Sequence, residues 1–199
     1  VISPLLANIY LNPLDHEMAK AGLEMIRYAD DFVVLCRTRQ EAEGALEVIR
    51  GWMEEAVLTL HPDKTCIVDM TQQGSHFEFL GYRFKYNKER DYRFPTPKSY
   101  KKLHEAISKK TKRCNGYCLG RIIADINPIL RGWFEYYKDS HRTVPEEIDG
   151  WVRMRLRSIL RKRDKRKGRG RGRDHNRYPN KFFAERGLFS LMTAYEQVE

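Results

Sequence analysis

The sequence predicts an α+β chain. An antiparallel sheet with packed helices spans residues 1–97, and an all-α bundle spans residues 98–199. Three observations carry this reading. First, two short runs, Met25-Ile26 and Phe32-Val33-Val34-Leu35-Cys36, flank Asp30-Asp31 as strands flank a hairpin tip. Second, from residue 98 the apolar residues recur at helical spacing rather than alternating. Third, the charge changes where the pattern changes. Residues 1–97 hold 11 Lys+Arg and 15 Asp+Glu, a net of −4; residues 98–199 hold 26 and 12, a net of +14. A mildly acidic half carries a carboxylate pair, and a strongly basic half follows, which points to a metal-dependent site beside a polyanion-binding surface.

The chain opens at Val1-Ile2-Ser3-Pro4 without a Met or leader, and reads as a fragment of a longer protein. Leu5, Leu6, Ile9, Tyr10 and Leu14 predict a helix over 4–20, with Ser3 as N-cap and Pro4 at the first helical position. The hairpin of 24–37 follows, its turn dihedrals assigned to aspartate. Its neighbours are expected to leave little water around the two carboxylates. Gln40 to Ala56 is a second helix with Ala42, Leu46, Ile49 and Met53 on one stripe. His61-Pro62-Asp63 is a turn, and Thr65 to Met70 reads as a strand. Phe77 to Tyr86 reads as a strand or tight hairpin with Gly81 at a bend, and Asn87 to Asp91 as a turn. Phe94-Pro95-Thr96-Pro97 is a stiff linker, where the domain boundary is placed.

In the basic half, Ser99 to Arg113 is a helix. Leu119 to Ile126 is a short one, and Asn127-Pro128 caps another carrying Ile129, Leu130, Trp133, Phe134 and Tyr137. Thr143-Val144-Pro145-Glu146 reads as a capping box before a helix presenting Ile148, Trp151 or Val152, Arg155, Ile159 and Leu160. These helices make a small bundle. Residues 161–177 contain no apolar residue and cannot fold alone. Phe182, Phe183, Leu188, Phe189 and Leu191 are expected to dock on the bundle. No run is long and apolar enough for a membrane span. Cys36 and Cys66 read as buried thiols, and Cys114 and Cys118 lack a second pair at zinc-ligand spacing.

Asp30 and Asp31 form an acidic pair that calls for a hard divalent cation with oxygen ligands. On four residues alone, a plain polar turn is the better explanation, because short acidic turns are common. The wider pattern decides. Ser3-Pro4-Leu5-Leu6-Ala7-Asn8-Ile9-Tyr10-Leu11-Asn12, Tyr28-Ala29-Asp30-Asp31, Leu60-His61-Pro62-Asp63-Lys64-Thr65 and Phe79-Leu80-Gly81-Tyr82-Arg83-Phe84 resemble, in this order, the palm of reverse transcriptases. Ile126 to Tyr137 and the tail Arg177-Tyr178-Pro179-Asn180-Lys181-Phe182-Phe183 resemble the thumb, or maturase X domain, of proteins encoded by bacterial group II introns.

The resemblance implies a partial reverse-transcriptase palm over 1–97 and a helical thumb over 98–199 with an Arg-rich segment at 161–177. It implies RNA-directed DNA polymerase and intron splicing activities, with Mg²⁺ in a two-metal site on Asp30 and Asp31 and Lys64 assisting at the nucleotide phosphates. Ser3, Pro4 and Tyr28 fall at template and primer, and Phe79, Leu80, Gly81 and Tyr82 at the primer grip. The implied partners are group II intron RNA, an RNA template with DNA primer, dNTP and a DNA target, with no membrane, in a bacterial cytoplasm and associated with nucleic acid. A further aspartate and the fingers are expected upstream of Ser3-Pro4, so this chain alone is expected not to polymerise. The basic residues Lys101, Lys102, Lys109, Lys110, Arg113, Arg155, Arg161, Arg163, Arg169 and Arg171, interleaved with aromatics, are the candidate RNA contacts. An RNA-binding maturase without polymerase activity, and a retron or diversity-generating reverse transcriptase, are the alternatives.

Overall fold

The structure, a computed structural model, describes residues 2–87, 90–166 and 172–198. It is mixed α+β, as the sequence predicts, and it divides into two compact units, Val1–Asp91 and Tyr92–Glu199.

Unit 1 packs two helices on one face of a hairpin. Helix α1 (Ser3–Lys20) buries Leu11, Leu14 and Met18, and α2 (Arg39–Glu55) buries Ala45, Ile49 and Met53. Between them, β1 (Glu24–Tyr28) and β2 (Asp31–Leu35) pair antiparallel, and Met25, Phe32 and Val34 face the same cluster. A second hairpin pairs β3 (His76–Phe79) with β4 (Tyr82–Asn87). Strand β5 (Arg90–Pro95) runs through the division between the units.

Several local expectations are corrected here. Ser3 lies inside α1, whose N-cap is Ile2 without a side-chain bond; Thr38 is a true cap, its Oγ1 accepting from the Glu41 amide at 3.1 Å. Residues 65–70 form no strand. Cys66 and Ile67 are exposed with no ladder to join, and the Asp69 carboxylate instead accepts from the Thr71 amide and hydroxyl at 2.9 and 2.7 Å. Part of the predicted turn at 87–91 lies outside the described residues.

Unit 2 is helical. Helix α3 (Pro97–Lys110) is capped by Thr96, α4 spans Leu119–Tyr137 and α5 spans Thr143–Arg163. The predicted break at Asn127-Pro128 does not occur. Ile122, Ile126, Leu130 and Phe134 form one buried stripe through that point. Burying each is worth roughly 1.5–3 kcal/mol, which together exceeds the ~3 kcal/mol penalty of an internal proline. Asn127 does not cap a helix. Its amide donates to the Gly187 carbonyl at 2.7 Å and its carbonyl accepts from the Phe189 amide at 2.9 Å. Nor does Thr143 cap α5; its hydroxyl lies 2.9 Å from His141 Nδ1.

The tail docks as predicted. Short helices α6 (Arg173–Arg177), α7 (Asn180–Ala184) and α8 (Leu191–Tyr195) follow α5, and Phe183 and Leu191 are fully buried in the bundle core. Asp149 on α5, also buried, accepts from the Leu191 amide at 3.0 Å and the Ser190 hydroxyl at 2.6 Å. No helix of the described residues is long and apolar enough to cross a membrane.

Candidate active site and nucleic-acid interface

The register of the first hairpin sets its chemistry. Tyr28 pairs with Asp31, so the loop is two residues, Ala29 and Asp30. The left-handed residue is Ala29, at φ 54°, not an aspartate. A residue with a Cβ pays roughly 1–2 kcal/mol for that conformation. Directly paired residues share a face, so Tyr28, Ile26 and Asp31 lie together on the side away from the helices. Asp30 sits at the tip. Both carboxylates are exposed, which corrects the expectation of a dry setting: the helices cover only the other face of the two-stranded sheet.

What holds the strained loop is Arg27, which the sequence reading missed. Alternation turns it inward beside Phe32, with a side chain only 10% exposed. Its guanidinium donates Nε to Asp15 Oδ1 at 2.8 Å and Nη2 to Asp15 Oδ2, a two-pronged ion pair with α1. Nη1 donates to the Ala29 carbonyl at 2.8 Å and to Asn8 Oδ1 at 3.0 Å. The Asp15 carboxylate raises the Arg27 pKa through that hydrogen bond, against the opposing effect of burial. Arg27 therefore ties the Asp30 turn to α1. Ser3 and Pro4 open that helix, about 7.5 and 6 Å of axial rise before Asn8. Both are exposed.

The second hairpin has the same two-residue form. Phe79 pairs with Tyr82, and Leu80 and Gly81 take φ 49° and 80°. Two consecutive left-handed residues match the primed turns that suit twisted hairpins. Phe77, Phe79, Tyr82 and Phe84 share one face, with the Phe77 and Phe84 rings stacked at 4.8 Å. The opposite face carries charge, with Arg83 paired to Glu78 at 2.5 Å. Lys64 lies exposed in the 61–65 turn, its amide donating to the His61 carbonyl at 3.2 Å.

In unit 2 the cations fall into two groups. Lys101, Lys102, Lys109, Lys110 and Arg113 are exposed along α3 and just beyond it. Arg155, Arg161 and Arg163 are engaged within the unit. Arg155 Nε donates to Thr111 Oγ1 at 2.6 Å, Arg161 pairs with the fully buried Asp174 at 2.5 Å, and Arg163 donates to the Tyr117 carbonyl. Arg157, which is buried, donates to the Tyr178 carbonyl at 2.9 Å and to Asn180 Oδ1 at 2.8 Å. Arg169 and Arg171 lie outside the described residues.

Residues 1–84 match the family of reverse transcriptases (RNA-dependent DNA polymerases). Residues 100–178 match the group II intron, maturase-specific domain. The chain belongs to the group II intron-encoded reverse transcriptases/maturases. No individual curated protein matches it.

A reverse transcriptase/maturase implies bound Mg²⁺. The donor set fits in part: two hard, solvent-open carboxylates on a fixed turn, with no Lys or Arg paired to either among the described residues. No third His, Cys, Asp or Glu joins them among those residues. The residues missed from sequence were those that hold the reverse transcriptase/maturase fold in place: Arg27, Asn127, Asp149 and Asp174. The signal available for Arg27 was a charge at an inward position of an alternating strand.

Proposed function

We propose that this chain contributes the carboxylate turn of an RNA-directed DNA polymerase and the RNA-gripping thumb of a splicing maturase. In this reading residues 1–97 are the remaining palm and 98–199 the thumb. The observation that carries it is the clamped turn, on which Asp30 and Asp31 stand open to solvent with no countercharge paired to either among the described residues. Such a pair is open to receive a hard cation and, with it, the phosphates of a substrate. Asp30 and Asp31 would hold Mg²⁺. Bound there, Mg²⁺ would supply neutralisation of charge on the attacking primer 3′-hydroxyl and on the leaving pyrophosphate.

The chain's own residues do the positioning. Arg27 fixes the turn, and Tyr28, on the same face as Asp31, packs at the primer end. Phe79, Leu80, Gly81 and Tyr82 present a rigid hairpin edge to the primer strand. Ser3 and Pro4, on the helix that Arg27 grips, lie under the template. Lys64 offsets charge on the dNTP phosphates. The exposed lysines of α3 bind the intron RNA, the reaction's template during copying into a DNA target.

With two carboxylates at the turn, a further ligand has to complete the metal site. The expected result of a primer-extension assay on the purified chain with Mg²⁺ is no template-dependent product, and any such product overturns this incompleteness. RNA binding is tested with group II intron RNA and an unrelated structured RNA at two salt concentrations. Affinity for both should fall steeply with salt, with the intron retained better. A chain that binds neither RNA overturns the maturase half of the reading.

A further inference from the structure

Arginines that a charge count assigns to RNA are used here to build a loop. Helix α3 ends at Lys110, and residues 111–118 lead to α4. Thr111 is buried, its hydroxyl donating to the Ile107 carbonyl at 2.7 Å. Asn115 folds the loop on itself: its amide donates to the Lys110 carbonyl at 2.7 Å, and its carbonyl accepts from the Tyr117 amide at 2.9 Å. From α5, Arg155 grips Thr111 at hydroxyl and carbonyl, at 2.6 and 3.2 Å. One helical stretch later, Arg163 reaches the carbonyls of Asn115 and Tyr117. Both ends of the loop are thus fixed to one rigid helix.

This scaffold holds Tyr117 outward. Its side chain belongs to a residue 63% exposed, and its ring meets no described aromatic or hydrogen-bonding partner. Lys112 and Arg113 precede it in the same loop, Lys110 is held to the loop through the Asn115 amide, and all three are exposed. Residues 106–124 contain no Asp or Glu, nor do residues 150–163. Within these two described segments no acid offsets the basic residues, so the loop surface is complementary to a polyanion. A polyanion with an accessible flat ring fits both features at once. Phosphates meet the cations, and an unpaired base stacks on the tyrosine face.

We infer that the 111–118 loop is a docking site for an unpaired nucleotide of single-stranded RNA, with Tyr117 as its stacking platform. The inference rests on the RNA-binding reading above and adds what that reading lacks, a preference for unpaired over duplex RNA. A duplex offers phosphates but keeps its bases stacked on one another, leaving Tyr117 nothing to receive.

The experiment measures affinity of the whole chain for an unstructured labelled RNA of about 12 nucleotides and for a blunt duplex of the same length. Tyr117→Ala should weaken single-strand binding about 10-fold and leave duplex binding unchanged, as expected for one lost base stack. Tyr117→Phe, which keeps the ring, should bind the single strand within about 2-fold of wild type. Lys112→Gln should weaken both ligands and lower the salt slope by about one. Wild-type single-strand affinity in Tyr117→Ala, or an equal loss on the duplex, overturns the stacking site while leaving the RNA-binding reading intact. Failure of the wild-type chain to bind either RNA overturns both.

Discussion

The two units use the same residue types in opposite ways. In unit 1, Asp30 and Asp31 are left open, and a single buried arginine acts at one remove by holding the turn that carries them. In unit 2, several acids and arginines are consumed by each other and by backbone. Asp149 holds the tail at Ser190 and Leu191, and Asp174 is fully buried between Arg161 and Arg166, at 2.5 and 2.8 Å. The lesson is that charge density alone does not tell which charges are open to solvent and which are used up by the fold. Among the described residues, the basic half owes much of its arginine content to its architecture, and its free positive surface is mostly lysine.

The sharpest way to break that comparison is a pair of matched substitutions. Asp174→Asn removes the charge that two partly buried guanidinium groups need, and should cost about 3 kcal/mol of stability. Asp30→Asn removes a solvated charge and should change stability by less than about 0.5 kcal/mol. Thermal unfolding of both variants checks this. Equal effects would show that the acids of the two units are not differently employed.

The same contrast explains what could be read in advance. The hairpin tips at Asp30 and at Leu80-Gly81, the helix of 39–55 and the docking of Phe183 and Leu191 all follow from local pattern, alternation or helical spacing. The tethers do not. Asn127 meets its partners Gly187 and Phe189 across 60 and 62 residues, and Asp149 meets Leu191 across 42. Nothing in either segment alone states that pairing. The missed continuity of α4 has a related cause. Local chemistry at Asn127-Pro128 favours a break, and only the burial of the α4 stripe in the shared core overrides it.

Within unit 1, Arg27→Ala should lower stability by about 2 kcal/mol, the scale for charge-assisted bonds at a mostly buried group. Its sharper signature is local: amide hydrogen exchange at Ala29, Asp30 and Asp31 should accelerate more than in α2. Uniform acceleration would mean that Arg27 supports the unit at large and not the turn. Ala29→Gly moves the other way. Relief of the left-handed strain outweighs glycine's entropic cost, for a gain of about 0.5 kcal/mol.

The smallest expected effect tests whether unit 2 holds a titratable group in its neutral form. His104 on α3 stacks on Trp151 with ring centres 4.1 Å apart. Burial lowers its pKa below the ordinary 6.5, with Arg155 acting in the same direction and Glu147 against them. A histidine depressed in the folded state contributes stability that is fully present above 6.5 and is lost as pH falls from there through the folded pKa. Protonation also places a cation on the Trp151 ring, a setting that quenches indole emission. A fluorescence titration should therefore show a transition centred below pH 6.5, and His104→Gln should remove it while Trp52 and Trp133 remain as the background. A transition that survives in His104→Gln, or one centred above 6.5, would mean that the ring is not held neutral by its burial. In that case unit 2 does not compensate its buried charges as completely as the arginine pairs indicate.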